Sequence, residues 1–357
     1  MKVKTDSCNV MDCKAYDIIM KGWKREPLSK QECVYLLGFH ESSPEVNIAR
    51  AAANDLVRKS TGNAGQIYAQ IGIMIGPCEA NCKFCSFGAT HTSIKNFTMS
   101  DEELRSKVKA LVKHNDVDTI YLMTMHSYDL DELIHKIKVA KREMGEKAHI
   151  SLNIGDTSYE DAVELRKAGA DKAYHVCRLG EGDYTDLKSE NRLQSMKNFK
   201  DAGLTLLSCT EPVGPEHTAE TLVDHFARNV SLGCEGLGVM RRVAVEGSPL
   251  AHLGHITESR LTQLASVFTL FGASMRKLPG VDVHEPCQLG FYSGARQVTA
   301  EYGGNPRDLA KDTEVHRGLS TAECRVMLFD AGFTSLVNAQ GKKMDLNMKY
   351  LKDTGSF

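Results

Sequence analysis

Gly76-Pro77-Cys78-Glu79-Ala80-Asn81-Cys82-Lys83-Phe84-Cys85-Ser86-Phe87 is the stretch on which the fold and chemistry of this 357-residue chain turn. It follows an apolar run, Ile71 to Ile75, that reads as a buried strand. Three cysteines at C-x3-C-x2-C spacing lie on a loop short enough to gather three thiolates. Soft thiolates select iron–sulfur clusters, zinc or Cu(I). A [4Fe–4S] cluster normally takes four cysteines, so three local ligands leave one iron open to a small molecule. Zinc requires a fourth Cys or His at short spacing, and His91 falls outside any usual knuckle spacing.

Outward from this loop the chain alternates strands and helices. Strand candidates are 67–75, 119–124, 149–154, 173–178, 204–209, 236–243, 281–284 and 334–338. Amphipathic helices fall between them, near 101–114, 130–144, 158–167, 189–202, 219–231, 259–276 and 320–331. Ala168-Gly169, Ala202-Gly203 and Ala331-Gly332 read as helix exits. Eight strands with intervening helices predict an α/β fold, a parallel (β/α)8 TIM barrel. The cysteine loop then follows strand 1, at the end of the barrel where chemistry sits. Residues 1–66 read as an N-terminal helical cap below the barrel, with a capping box at Ser29 and Glu32. The barrel is expected over 67–340, with an insertion at about 288–319 and a C-terminal tail at 341–357.

Composition narrows the class. Lys and Arg total 44 against 46 Asp and Glu, so neither nucleic acid nor an acidic membrane has electrostatic support as a partner. No apolar run approaches the ~20 residues of a membrane span. Met1 to Thr5 lacks the apolar core of a signal peptide. Eleven cysteines, three of them clustered, read as a reduced, cytoplasmic pattern rather than a disulfide framework. Cys8 and Cys13 read as free thiols before a metal pair.

C-x3-C-x2-C with Phe84 before the last cysteine resembles the signature of radical S-adenosylmethionine (SAM) enzymes. From about residue 25 to 340 the chain is similar to their biotin synthase branch, with the hydrogenase maturases and methylornithine synthase. The resemblance implies a [4Fe–4S] cluster on Cys78, Cys82 and Cys85, with SAM chelated at the open iron. It implies reductive cleavage of SAM to a 5′-deoxyadenosyl radical, anaerobic handling and an electron donor such as flavodoxin or ferredoxin. Ser189-Glu190-Asn191-Arg192-Leu193 resembles the helix whose arginine binds the SAM carboxylate, which suits a bidentate guanidinium. Arg178-Leu179-Gly180-Glu181 resembles the strand end whose acid holds the ribose or amino group. Phe84, Arg178, Glu181 and Arg192 are thus the expected SAM-binding residues, and 243–250 resembles a segment that meets the adenine.

Departures from that branch shape the expected reaction. The cysteines holding the second cluster of biotin synthase align with Tyr121 or Leu122, Ser151 and Ser208, and its arginine ligand with Asp282. Sulfur insertion is therefore the alternative, and a non-catalytic zinc module a second one. Cys177, Cys209, Cys234 and Cys287 remain as thiols near strand ends, and small core fillers are the plainer reading. His126, His175 and His284 are acid–base candidates, and Met123 and Met125 read as packing. Arg178, Arg241 and Arg242 suggest an anionic small-molecule substrate, although Arg241 and Arg242 cannot both face inward on a regular strand. Segment 290–318, with Asn305 to Asp308 and Asp312 to Glu314, resembles part of the [Fe]-hydrogenase maturase branch, which spaces its cysteines differently.

Overall fold

The computed structural model describes residues 11–302 and 318–357. Cys8, and with it the reading of the Cys8–Cys13 pair, lies outside the described residues, as do Asn305 to Asp308 and Asp312 to Glu314. Three helices come first: α1 (Cys13–Trp23), α2 (Lys30–Leu37) and α3 (Pro44–Thr61). Ser29 and Glu32 form the expected capping box on α2. α3 opens on Ser43 with Pro44 in its first turn and stops at Gly62, whose φ of 62° is left-handed.

The sheet begins with β1 (Ala64–Gly72), followed by a small antiparallel hairpin of β2 (Met74–Ile75) and β3 (Phe97–Thr98). β4 (Val117–Met123), β5 (His149–Asn153), β6 (Lys172–Tyr174), β7 (Thr205–Val213), β8 (Gly236–Arg241), β9 (Asp282–His284) and β10 (Gln297–Tyr302) complete the curl. Neighbours run β1-β4-β5-β6-β7-β8-β9, all parallel, and β10 pairs parallel with the other edge of β1. The crossovers carry α4 (Asp101–Leu111), α5 (Leu130–Met144), α6 (Tyr159–Ala168), α7 (Ser189–Asp201), α8 (Ala219–Ser231) and α9 (Glu258–Gly272). The result is a mixed α/β, TIM-barrel-like fold.

Its eighth parallel strand is not the expected one. Gln297–Tyr302 aligns Gln66 with Gln297 through Ile71 with Tyr302, inside the stretch expected as an insertion. The 334–338 candidate yields only β11 (Ser335–Val337), which meets Ala64 and Gly65 and pairs antiparallel with β12 (Lys343–Asp345). β10 hides in the sequence because its polarity is inverted. Val298 and Ala300 are buried, while Thr299 and Glu301 face the cavity. β9 and β10 share no hydrogen-bonded ladder. Instead the Asp282 carboxylate accepts from the backbone N–H of Arg296 and Gln297, both at 2.9 Å.

The N-terminal helices pack against the outer helices α8 and α9 of the barrel. α3 packs along α9 and α2 along α8. That is why α9 is buried from Leu261 to Gly272 with no polar stripe left in water. Arg50 reaches the Ser259 carbonyl at 2.7 Å, and Arg260 the Leu37 carbonyl at 2.7 Å. No helix among the described residues is long and apolar enough to cross a membrane.

Candidate active site

The cysteine loop leaves β2 and is held from several directions. Cys78 N–H donates to the Phe87 carbonyl at 2.7 Å, and Ala89 N–H donates to the Cys78 carbonyl at 2.9 Å. Asn81 sits at φ 45°, a left-handed turn that asparagine tolerates. Its side chain reaches Asp186 at 2.7 Å, and Lys83 N–H donates to the Tyr184 carbonyl at 2.9 Å. Leu250 N–H donates to the Lys83 carbonyl at 2.9 Å, so segments after β6 and β8 both clamp the loop. His91 is no fourth ligand: its Nε2 lies 2.7 Å from the Cys85 carbonyl.

Cys78, Cys82 and Cys85 share one cavity of about 170 Å³ at the C-terminal ends of the strands. Burial pushes the Cys82 thiol up to about 11 and raises Cys85 further. Such thiols ionise when a metal takes them. Among the described residues no three His, Cys, Asp or Glu side chains stand at single-ion spacing. In a cubane each thiolate binds a different iron, so the three need not meet at one point. Three soft donors on one wall, with an open cavity beside them, fit a three-cysteine cluster.

Across the cavity stands a charged wall. Arg192, on the first turn of α7, is only 3% exposed yet lines the cavity. Its Nε donates to the Val176 carbonyl at 3.1 Å and its Nη1 to Asp156 Oδ1 at 2.8 Å. Nη2 makes no hydrogen bond among the described residues. Asp156 also receives His175 Nε2 at 3.2 Å and lies 3.9 Å from His126 Nε2. Burial alone would raise the Asp156 carboxyl, but His175 and Arg192 hold it at about 2. Burial pushes His175 down to about 3, so this ring stays neutral. Gly155 matters here because a Cβ would sit 1.7 Å from the His126 carbonyl oxygen. Without a side chain at 155, the two wall segments after β4 and β5 can touch.

The structure brings some expected residues together and turns others away. Phe84, Arg178 and Arg192 all line the cavity with the cysteines. Glu181 is not among the lining residues. Its carboxylate accepts from Arg178 N–H at 2.8 Å and Thr185 Oγ1 at 2.7 Å, and lies 3.7 Å from Arg192 Nε. It braces the Arg178 backbone and the Arg192 guanidinium. Arg241 and Arg242 both line the cavity because β8 ends at Arg241 and regular alternation ends with it. Each is matched by a carboxylate: Arg241 Nε by Glu285 at 2.9 Å, Arg242 Nη2 by Glu216 at 3.0 Å. Arg178 Nε likewise lies 3.4 Å from Glu211. The three cations expected to attract an anion are thus already partnered.

Asp156, Glu211 and Tyr174 are the residues that sequence reasoning missed. Asp156 follows Asn153-Ile154-Gly155, and a polar pair around a glycine at a strand end was the available signal. The remaining thiols scatter. Cys177 neighbours Ser189 and Arg228, Cys234 neighbours Ser208 and Arg276, and Cys287 neighbours Gly290 and Glu258. Cys209 neighbours Tyr174 and Glu211. Ser151 is fully buried with an unpartnered hydroxyl, and Asp282 is the strut between β9 and β10. Among the described residues no group of three or more His, Cys, Asp or Glu side chains includes these cysteines.

Comparisons with known proteins agree with this geometry. Residues 73–228 match the family model of the radical SAM superfamily. The chain is 25% identical over 230 residues to the biotin synthase of Acetivibrio thermocellus, covering 61% of this chain and 70% of that one. It is 25% identical over 279 residues to the biotin synthase of Streptomyces avermitilis, covering 75% and 71%. Among solved structures, methylornithine synthase superposes with a TM-score of 0.69 at 17% identity, covering 79% of this chain and 85% of that one. The FeFe-hydrogenase maturase HydG from Carboxydothermus hydrogenoformans gives 0.73 at 17% identity, covering 91% and 80%. These two likenesses speak to the fold. The superfamily works with a [4Fe–4S] cluster and SAM, and the three cysteines on the cavity wall are its signature. Over residues 73–228 the chain matches the radical SAM superfamily, and along roughly two thirds to three quarters of its length it is similar to biotin synthases.

Proposed function

We propose that Cys78, Cys82 and Cys85 hold a single [4Fe–4S] cluster, and that the protein cleaves SAM reductively and abstracts hydrogen from a small organic substrate. When bound, the cluster supplies the electron that splits SAM into methionine and a 5′-deoxyadenosyl radical. The chain's own residues bind, orient and shield. Nη2 of Arg192 is the donor on the cavity side, and it suits the carboxylate of SAM. Asp156 and Glu181 fix that guanidinium; Phe84 and Arg178 flank the cysteines. Met123, Met125 and Phe87 keep water from the cavity wall. A flavodoxin or ferredoxin is the kind of donor that would charge the cluster. The product class is a cofactor or a metallocofactor precursor, by analogy with the branch.

The observation that carries this reading is the cavity that the three cysteines share with Arg192. Scattering of Cys177, Cys209, Cys234 and Cys287 supports one cluster over sulfur insertion. Anaerobic reconstitution tests it: about four irons per chain and 5′-deoxyadenosine from added SAM are expected. Cys78→Ala, Cys82→Ala and Cys85→Ala should each abolish both the brown absorbance and that product. A variant keeping full cluster and turnover would overturn the assignment, as would six or more irons per wild-type chain.

A further inference from the structure

TIM barrel interiors are filled chiefly by Val, Ile and Leu. This one holds a column of phenols instead. Tyr68 on β1, Tyr121 on β4 and Tyr174 on β6 pack in series through the barrel, the first pair tilted and the second edge-to-face, with ring centroids 5.7 and 5.9 Å apart. Tyr174 stacks in turn on His284 at 6.0 Å. Tyr121 and Tyr174 line the cavity that the three cysteines share, and Tyr68 lies behind them. Burying three hydroxyls is costly where aliphatic side chains would fill the same space.

The upper end of the column is equipped differently from a packing residue. Tyr174 Oη donates to the Glu211 carboxylate. Glu211 lines the cavity as well, faces Arg178 Nε at 3.4 Å and hydrogen-bonds the Cys209 thiol. If the phenol hydrogen turns away, Glu211 keeps two partners. A phenolic hydrogen can swing about its C–O bond between two in-plane positions, so the Tyr174 oxygen need not move to present it to the cavity. Burial, with Cys209 and Glu211 nearby, keeps this phenol well above its usual pKa, so its hydrogen stays on oxygen.

We propose that Tyr174 is a hydrogen-atom donor to carbon radicals formed in the cavity, and that Tyr121 and Tyr68 share the radical it is left with. The inference rests on the proposed function, since that is what places carbon radicals there. In the step, the Tyr174 O–H bond breaks and its hydrogen atom, one proton with one electron, forms a C–H bond on the radical carbon. A neutral phenoxyl radical remains on Tyr174. Transfer of an electron and a proton from Tyr121, and then from Tyr68, moves the radical down the column. One electron from the reduced flavin or iron–sulfur carrier that charges the cluster, with one proton from water, restores the phenol. The transfer is downhill because a phenolic O–H bond is weaker than an alkyl C–H bond.

The test needs no knowledge of the substrate. Reconstituted protein is reduced by one electron per cluster, freed of excess reductant and mixed in deuterium oxide with SAM alone. Wild type should give 5′-deoxyadenosine labelled with deuterium at C5′, because the Tyr174 hydroxyl exchanges with solvent. It should also give an organic radical signal whose hyperfine splitting collapses when ring-deuterated tyrosine is incorporated. Tyr174→Phe should lower the labelled fraction of whatever product forms at least threefold and remove that signal. An unchanged labelled fraction in Tyr174→Phe would overturn the proposal. So would wild-type 5′-deoxyadenosine that carries no deuterium and no tyrosine-derived signal, a result independent of how the variant folds. A wild-type protein with an intact cluster that forms no 5′-deoxyadenosine would instead sink the radical reading itself, and this inference with it.

Discussion

Arg192 and Arg325 are both buried guanidiniums set against an aspartate, at opposite ends of the same sheet. At the bottom, Asp116 stands just before β4 and is fully buried. Arg325 grips it twice, Nε to Oδ2 at 2.5 Å and Nη2 to Oδ1 at 3.2 Å, and Tyr350 Oη adds a bond at 2.9 Å. At the top, Asp156 gives a single oxygen to both Arg192 and His175, while its other oxygen faces His126 at 3.9 Å. The bottom pair is saturated and ties the C-terminal helices to the barrel. The top pair keeps an arginine nitrogen in hand at a cavity wall. Equal residue types therefore stand in different surroundings, one pair sealed in the core and the other at a cavity wall.

Three measurements can break or sharpen that contrast. The largest effect is expected at the bottom. Asp116→Ala strands a buried guanidinium and should cost about 3–5 kcal/mol of stability, read from urea unfolding. A variant as stable as wild type would erase the contrast from that side. At the top, Arg192→Ala should weaken SAM binding by roughly 2–5 kcal/mol while cluster content stays complete. Titration calorimetry on cluster-loaded protein reads this directly. Unchanged affinity would make Arg192 a structural brace like Arg325.

The smallest effect is on pH dependence. His175 beside Asp156 and His225 behind β7 are both held neutral by burial, each near a pKa of about 3. An unfolded histidine titrates near 6.5. The unfolded chain therefore binds more protons between those values, and stability falls as pH drops below about 6.5. Linkage gives about 1–2 kcal/mol lost per histidine by pH 5.5. Asp156 adds nothing in this window, since its stabilisation is lost only as pH falls toward about 2. Thermal melts at pH 5.5 and 7.5 should show the loss, and His225→Gln should make it smaller. Equal melting shifts in wild type and His225→Gln would show that other groups carry the acid sensitivity.

Much of this protein was legible in its sequence because the signals were local. The C-x3-C-x2-C loop needs no tertiary information to name its chemistry. The Ser29–Glu32 box and the three Ala-Gly exits mark helix ends through hydrogen bonds a few residues long. Hydrophobic periodicity found the helices from α4 to α9 and seven of the eight parallel strands, because each element buries one face wherever it is placed. As cavity-lining residues, Arg192 was reachable through its helix motif, Arg178 through the strand end beside it and Phe84 through the cysteine signature.

What only the tertiary structure decided depends on which groups meet across long separations. β10 reads as polar because its inward face lines a cavity, so its pattern makes sense only once the cavity exists. Glu181 looks like a ligand-binding acid in the sequence, yet Thr185, Arg178 and Arg192 occupy its carboxylate. Arg178, Arg241 and Arg242 suggest an anion site until Glu211, Glu285 and Glu216 are found opposite them. The Asp156 hub and the tyrosine column each join residues from three strands or loops. Sequence sets which donors and charges the chain owns. Packing decides which of them are already satisfied and which face a cavity.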